Sequence, residues 1–235
     1  MNRAVFLDRD GVINAALYDP LEGKPDTPYR LEDFRLLLGV GQALRAISEM
    51  GFLAVVVSNQ PGVAKGKCDY AFLEAVNAEL TARLARQRAH LDAIYYCLHH
   101  PDAVDENLRV DCDCRKPKPG LLLRAARELD IDLVGSFMLG DSPRDIEAGL
   151  AAGCQTILVD GRRSYFRLRE AARMRPHWTA QNLLAAVEII RCIQGDGHGD
   201  LHRLGEPRRD PPLAGIRGGR WRDNQPQHHA QGRGL

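Results

Sequence analysis

Short apolar runs alternate with longer amphipathic stretches over residues 4–159, and this alternation constrains the fold more than any other feature. Five runs have the length and continuous apolar character of buried strands: Ala4–Leu7, Phe52–Val57, Ala93–Cys97, Ser136–Leu139 and Thr156–Val159. Helix-compatible spacing is found in the stretches Gly41–Met50, Tyr70–Arg88, Gly120–Leu129 and Ser142–Ala152. Strand–helix alternation predicts a parallel sheet with helices on both faces. We therefore expect an α/β fold, a three-layer doubly wound parallel sheet.

Polar residues follow three of the predicted strands directly. The first strand ends at Asp8, the second at Ser58 and the fourth at Gly140 and Asp141. In open α/β sheets, ligands bind beyond the carboxyl ends of the strands. We expect these residues to meet at one edge of the sheet and to form the functional site.

The segment FLDRDGVIN is the most specific motif of the chain, and it places Asp8 and Asp10 just past the first strand. A D-x-D triplet alone is common among surface acids. The apolar strand before it and the glycine after it favour a catalytic role for the two acids. Asp8 can attack phosphorus to give an aspartyl-phosphate. Asp10 can protonate the leaving oxygen and then deprotonate the water that hydrolyses the intermediate. Gly11 lets the backbone turn tightly beside the two acids.

This motif resembles the first motif of the haloacid dehalogenase superfamily of phosphohydrolases, which has a Rossmann-like core. The resemblance implies that Ser58, in the segment VVVSNQPG, hydrogen-bonds the phosphoryl group. It implies that Lys116, in the segment RKP, stabilises the developing negative charge, whereas Lys118 is solvated. In the segment GDSPRD it implies that Asp141 binds the metal and that Asp145 supports the loop.

The metal that the resemblance implies is magnesium, a hard cation that suits a few carboxylates and a substrate phosphate. Asp8, the backbone carbonyl of Asp10, and Asp141 would bind it. Its role would be to neutralise charge between the nucleophile and the phosphate.

Two C-x-[H/C] pairs predict a zinc site in the loop over residues 97–114. Cys97 and His99 form one pair, and Cys112 and Cys114 form the other. Residues two apart in an extended segment point to the same side, so each pair can offer two ligands to one ion, and a Cys₃His set is typical of structural zinc. Alternatively, Cys97 is a buried strand residue and His99 a surface imidazole, and His100 is the spare candidate ligand.

With this loop, the chain resembles the group of histidinol phosphatases and D-glycero-D-manno-heptose 1,7-bisphosphate 7-phosphatases over Val5–Asp160. The resemblance implies that a structural zinc shapes substrate access and that Arg115 contacts the substrate beyond its transferred phosphate. Asn59 and Gln60 are further candidate substrate-binding residues. Ser142 stands where a lysine is common in the group. The implied substrate is a small phosphorylated metabolite, with the heptose bisphosphate as first choice and histidinol phosphate as second.

Two hypotheses from other classes remain open on the sequence. A polynucleotide 3′-phosphatase should show a basic groove with interleaved aromatic residues, whereas the net charge is +1 and aromatic residues make up 6%. We therefore expect no nucleic-acid partner. An inactive zinc-binding interaction protein would have lost acids that are all present here. A P-loop kinase is disfavoured because the sequence contains no G-x₄-G-K-[ST] motif.

The domain organisation follows from segment lengths and composition. We expect one phosphatase domain over residues 1–194. It would have no large cap domain, because Asn14–Phe34 is too short to form one and residues 58–115 hold a helix, a strand and the zinc loop. Residues 195–235 are rich in Gly, Arg, Pro, His and Gln, which predicts a disordered tail. No stretch approaches the length of a membrane span, so we expect a cytoplasmic protein without membrane contact. We also expect a monomer.

Overall fold

The computed structural model describes residues 1–19, 23–159 and 175–195. Its strands are β1 Arg3–Leu7, β2 Leu17–Asp19, β3 Lys24–Asp26, β4 Phe52–Asn59, β5 Ala93–Cys97, β6 Phe137–Gly140, β7 Gln155–Val159 and β8 Trp178–Ala180. Six of them form a parallel sheet in the order β5-β4-β1-β6-β7-β8, and β2 pairs with β3 in an antiparallel hairpin. Strand β1 therefore lies in the middle of the sheet, between β4 and β6.

Helices cover both faces of this sheet. They are α1 Val40–Glu49, α2 Tyr70–Arg86, α3 Gly120–Leu129, α4 Pro143–Ala152 and α5 Leu183–Ile193. One hydrophobic cluster joins Ile47 of α1, Leu80 of α2 and Ile190 of α5 to one face. A second cluster joins Leu122 of α3 and Ala148 of α4 to the opposite face. The three-layer doubly wound α/β fold is confirmed, and the described residues include no large cap.

Burial on both faces explains the continuous apolar character of the strands. In β1, Val5 and Leu7 pack in the first cluster, whereas Ala4 and Phe6 pack in the second. All four side chains are fully buried. A strand buried on both sides has no polar face, so its sequence shows an apolar run in place of alternation.

Two parts of the fold were missed in the sequence. The first is the β2–β3 hairpin, which lies where we expected only loops; its strands are three residues long, too short to show a periodicity. The second is β8 with α5. Helix α5 reads LLAAVEIIRCI and lies beyond the last predicted strand, in a part of the domain to which we assigned no element.

Two sequence predictions concern the end of the chain and membranes. The predicted disordered tail over residues 195–235 lies, apart from Gly195, outside the described residues. Within the described ranges, every helix is too short or too polar to cross a bilayer.

Candidate active site

Three adjacent strands bring the predicted site residues together at one edge of the sheet. Asp8 follows β1, Ser58 lies near the end of β4, and Asp141 follows β6. The backbone N–H of Asp8 donates to the carbonyl of Leu139 at 3.0 Å, which fixes the first loop against β6. These side chains all line one cavity of about 1230 Å³, large enough for a small-molecule substrate.

The Asp8 carboxylate is held from two sides. Ser58 Oγ donates to Asp8 Oδ1 at 2.6 Å, and Lys116 Nζ lies 3.1 Å from the same oxygen. The backbone N–H of Arg9 donates to it as well, at 2.7 Å. The side chain is 14% exposed and faces the cavity. All three contacts are to Oδ1, so we expect Oδ2 to be the oxygen that meets a reacting partner.

Lys116 is a buried cation that donates to one backbone carbonyl and forms ion pairs with two carboxylates. Its ammonium contacts Val57 O at 2.8 Å, Asp8 Oδ1 at 3.1 Å and Asp145 Oδ1 at 2.5 Å, and the side chain is 2% exposed. Burial alone would lower the pKa of Lys116, but the carboxylates of Asp145 and Asp8 raise it above its ordinary value. The lysine therefore stays charged beside Asp8. Lys118, in contrast, is exposed and pairs with Asp111.

Asn59 holds the backbone of Lys116 in place. Its Nδ2 donates to the Lys116 carbonyl, and its Oδ1 accepts from the Lys116 N–H, both at 3.0 Å. This pair of bonds ties the end of β4 to the loop that carries the lysine. A direct contact of Asn59 with substrate stays a prediction.

The Asp10 carboxylate accepts hydrogen bonds from four side chains. They are Asn14 Nδ2 at 2.8 Å, Gln60 Nε2 at 2.6 Å, Thr27 Oγ1 at 3.1 Å and Arg9 NH2 at 3.1 Å. Gln60, predicted to bind substrate, is buried and points at Asp10; its substrate-binding role stays a prediction. Sequence reasoning missed Asn14, Thr27 and Arg9, and only the proximity of Arg9 to the acids hinted at its place.

The carboxylates of Asp8, Asp141 and Asp145 lie within 4.8 Å of one another, a set that fits a hard divalent cation. Burial and repulsion from Asp145 and Asp8 raise the pKa of Asp141 to about 8. A cation beside Asp141 would relieve that repulsion. Asp145 is already engaged, because its Oδ2 accepts from the backbone N–H and the Oγ of Ser142 while its Oδ1 faces Lys116.

Gly11 makes room for this acidic cluster. Its φ is +88°, and a Cβ at this position would lie 2.1 Å from Asp141 Oδ2. Any other residue would displace the Asp141 carboxylate as well as strain the backbone. The position of Asp141 therefore requires a glycine at residue 11.

The four predicted zinc ligands converge on one point. Cys114 Sγ lies 3.2 Å from Cys97 Sγ and 3.3 Å from His99 Nδ1, and Cys112 Sγ lies 3.7 Å from Cys97 Sγ. This group could hold a metal ion, and a Cys₃His donor set suits zinc. The spare candidate His100 is not part of the cluster: its Nδ1 accepts from the backbone N–H of Asp102, and its side chain lines the cavity.

Arg115 links the Cys/His cluster to the cavity. Its NH1 donates to the His99 carbonyl at 3.0 Å, and its side chain lines the cavity. Burial lowers the pKa of Arg115, and the nearby charge of Arg144 lowers it further. The loop thus presents a half-buried guanidinium to the cavity wall, beside Lys116.

Comparisons with known proteins show the family to which the chain belongs. The HAD-hydrolase-like family model matches residues 113–186. A D-glycero-beta-D-manno-heptose-1,7-bisphosphate 7-phosphatase from Photorhabdus laumondii is 39% identical over 175 residues, covering 73% of this chain and 88% of the relative. The corresponding Escherichia coli K12 enzyme is 43% identical over 155 residues, covering 65% and 76%.

A solved structure agrees as well. The D,D-heptose 1,7-bisphosphate phosphatase from B. bronchiseptica, complexed with magnesium and phosphate, superimposes with a TM-score of 0.68 at 31% identity, covering 82% of this chain and 99% of that one. The chain therefore belongs to the haloacid dehalogenase-like hydrolases and is a phosphatase. Within that superfamily it is similar to the heptose bisphosphate phosphatases, whose names describe action on a phosphorylated sugar.

Proposed function

We propose that the chain is a magnesium-dependent phosphatase that removes the 7-phosphate of D-glycero-D-manno-heptose 1,7-bisphosphate through an aspartyl-phosphate on Asp8. The observation that carries this proposal is the Asp8 carboxylate, whose Oδ1 contacts Ser58 and Lys116 in a side chain that lines the cavity. The names of the relatives support the choice of sugar.

The proposed reaction has two transfers. In the first, Asp8 attacks phosphorus, the bond to the leaving oxygen breaks, and Asp10 gives that oxygen a proton. In the second, water attacks the same phosphorus while Asp10 takes its proton, which releases orthophosphate and restores the Asp8 carboxylate. Ser58 and Lys116 bind the phosphoryl oxygens and stabilise their charge in both transfers.

Asp8, Asp141 and the backbone carbonyl of Asp10 would hold the magnesium ion. When bound, it would neutralise charge between the attacking carboxylate and the phosphate. The fit rests on the crowding of three carboxylates at this place, two of which, those of Asp8 and Asp145, pair with the ammonium of Lys116.

We expect magnesium-dependent phosphate release from the heptose bisphosphate, with kcat/KM exceeding that for histidinol phosphate by about 10² or more, because a site built around one polar substrate rejects another. The third substrate tested is 3′-phosphorylated DNA, from which no phosphate release is expected. Chelation with EDTA should abolish turnover, and added Mg²⁺ should restore it. Preferred hydrolysis of histidinol phosphate or of DNA would contradict the proposed substrate, and undiminished turnover in EDTA would contradict the proposed metal.

We also propose that Cys97, His99, Cys112 and Cys114 bind a structural zinc ion that orders the loop carrying Arg115. The support is the convergence of four ligand atoms together with the bond from Arg115 to the carbonyl of His99. The ion would take no part in bond breaking. Its role would be to keep the arginine at the cavity wall.

The variant Cys112→Ser is expected to lower bound zinc from about one equivalent to about a tenth, since a site that has lost a thiolate binds much more weakly. Turnover of the heptose bisphosphate should fall by about 10-fold or more, which is the usual effect of losing a group that holds site residues in place. Zinc is measured by elemental analysis and turnover by phosphate release. The matched control is Cys192→Ser on α5, outside the cluster. Loss of zinc with intact turnover would contradict this role of the loop.

A further inference from the structure

Arg9 stands between the two acids of the first motif, and its side chain is 1% exposed. Burying a guanidinium is costly unless it is fully engaged. Burial would lower the pKa of Arg9, but the charge of Asp10 and the contact with Tyr96 raise it above its ordinary value. The arginine is therefore a permanent buried cation next to Asp10.

A single nitrogen of Arg9 joins three parts of the site. Its NH2 contacts Asp10 Oδ2 at 3.1 Å, Thr27 Oγ1 at 2.6 Å and Gln60 Oε1 at 2.9 Å. Thr27 follows the β2–β3 hairpin, and Gln60 follows β4. The guanidinium also lies over the ring of Tyr96, 5.5 Å from its centroid. Side chains from three separate segments thus depend on one cation.

These contacts fix the orientation of the groups that bind Asp10. Because Arg9 can only donate, it holds the carbonyl oxygen of Gln60 toward itself. The amide nitrogen of Gln60 must then face the other way, where it donates to Asp10 Oδ2 at 2.6 Å. In the same way, Thr27 Oγ1 accepts from Arg9 and has its proton free for Asp10 Oδ1, 3.1 Å away.

We propose that Arg9 is a positioning residue for the proton transfer: with Thr27 and Gln60 it holds the Asp10 carboxyl in the orientation from which it serves the leaving oxygen. This inference rests on the proposed function of Asp10. When Asp10 gives up its proton to the leaving oxygen, a carboxylate forms beside the buried guanidinium, which stabilises it. The Arg9 side chain is 1% exposed and does not line the cavity, so it would act through Asp10 without touching the phosphate or the leaving group.

The dependence on the leaving group separates this role from a merely structural one. An alkoxide is a poor leaving group and needs the proton from Asp10, whereas 4-nitrophenolate leaves without it. The value of kcat/KM reports events up to the first irreversible step, which includes departure of the alcohol. A misplaced Asp10 should therefore lower kcat/KM for a sugar phosphate far more than for 4-nitrophenyl phosphate.

The experiment measures kcat/KM for the heptose bisphosphate and for 4-nitrophenyl phosphate in Arg9→Met and Arg9→Lys, with Asp10→Asn as the reference for a lost proton donor. For Arg9→Met we expect a fall of about 10²-fold on the sugar phosphate and of less than about 3-fold on the aryl phosphate, within the range of general-acid effects. Arg9→Lys should recover part of the loss, because one ammonium can replace only some of the guanidinium contacts.

The matched control is Arg83→Met. Like Arg9, Arg83 makes an ion pair, a hydrogen bond and an aromatic contact. It pairs with Glu79 at 2.6 Å, donates to Phe34 O at 2.9 Å and lies over the ring of Phe34. It lies outside the site, so kcat/KM for both substrates should be unchanged.

Should Arg9→Met fail to fold, Thr27→Val removes the hydroxyl between Arg9 and Asp10 at constant shape. It should show the same selective loss at about 10-fold, less than the loss of a whole general acid because Asp10 keeps its other partners. Equal losses on both substrates, or no loss on either, would overturn the positioning role. Failure of the proposed function would look different, since Asp8→Asn would then keep its activity on both substrates.

Discussion

Replacement of Asp8 by Asn is expected to lower kcat for every phosphomonoester substrate by at least about 10³-fold, because removal of a nucleophile costs more than removal of any supporting contact. The amide has nearly the shape of the carboxylate, and its oxygen can still accept from Ser58 Oγ, now 2.6 Å from Asp8 Oδ1. It has no anionic oxygen to attack phosphorus. The loss should therefore appear in kcat while the fold is retained.

Phosphate release and circular dichroism together check this expectation. The matched control is Asp130→Asn, an exposed carboxyl at the end of α3 whose backbone is left-handed, with a φ of 52°. Asn accepts that conformation as readily as Asp, so the control should keep full activity. An Asp8→Asn enzyme with wild-type kcat would contradict the assignment of Asp8 as nucleophile.

The second large effect is expected from Lys116→Met, which should reduce both activity and stability. Removing one partner of a buried ion pair costs about 3–5 kcal/mol, because it leaves the other charge buried without compensation. Here the charge left behind is that of Asp145, whose Oδ1 lies 2.5 Å from Lys116 Nζ. The loss of the cation that we propose to stabilise the charge of the phosphoryl oxygens should lower kcat by about 10²-fold or more.

Urea unfolding and phosphate release measure the two effects separately. The matched control is Lys118→Met, two residues further along the same loop, where the ammonium is exposed and pairs with Asp111. An exposed ion pair contributes little to stability because water screens it, so this variant should be close to wild type. If Lys116→Met and Lys118→Met behaved alike, the buried lysine would have no special part in the site.

The residues nearest the proposed reaction could be predicted from the sequence because each follows a recognisable strand. Asp8, Ser58 and Asp141 stand where apolar runs end, and parallel strands deliver their carboxyl ends to one edge. The zinc-type cluster could be predicted because its ligands come in close pairs. Local sequence is sufficient for such features, since spacing alone constrains where the side chains point.

The side chains that hold these residues in place could not be predicted, because their positions depend on contacts between distant segments. Arg9 meets Thr27 and Gln60 only once the hairpin and β4 are in place. Asn59 is predicted to bind substrate, and the structure adds a role that its local sequence did not indicate, the pairing of its amide with the backbone of Lys116. Nothing in the local sequence indicates which partner, protein or substrate, an amide side chain will choose.

Secondary structure shows the same limit. Strands with long apolar runs, such as β4, agree with the expected ranges to within two residues. Strands β2, β3 and β8 have three residues each. Strands this short form only through their pairing with a neighbour. Helix α5 packs its apolar side chains against the sheet and α1, and this tertiary burial determines its conformation.

The central claim is that the phosphoryl group becomes covalently bound to Asp8, and trapping of the intermediate tests it most directly. Enzyme quenched during turnover of the heptose bisphosphate and reduced with borohydride should carry homoserine at position 8, as identified by peptide mass spectrometry. Asp8→Asn enzyme treated in the same way should carry none. Continued turnover with no modification at position 8, or modification at another residue, would contradict the account.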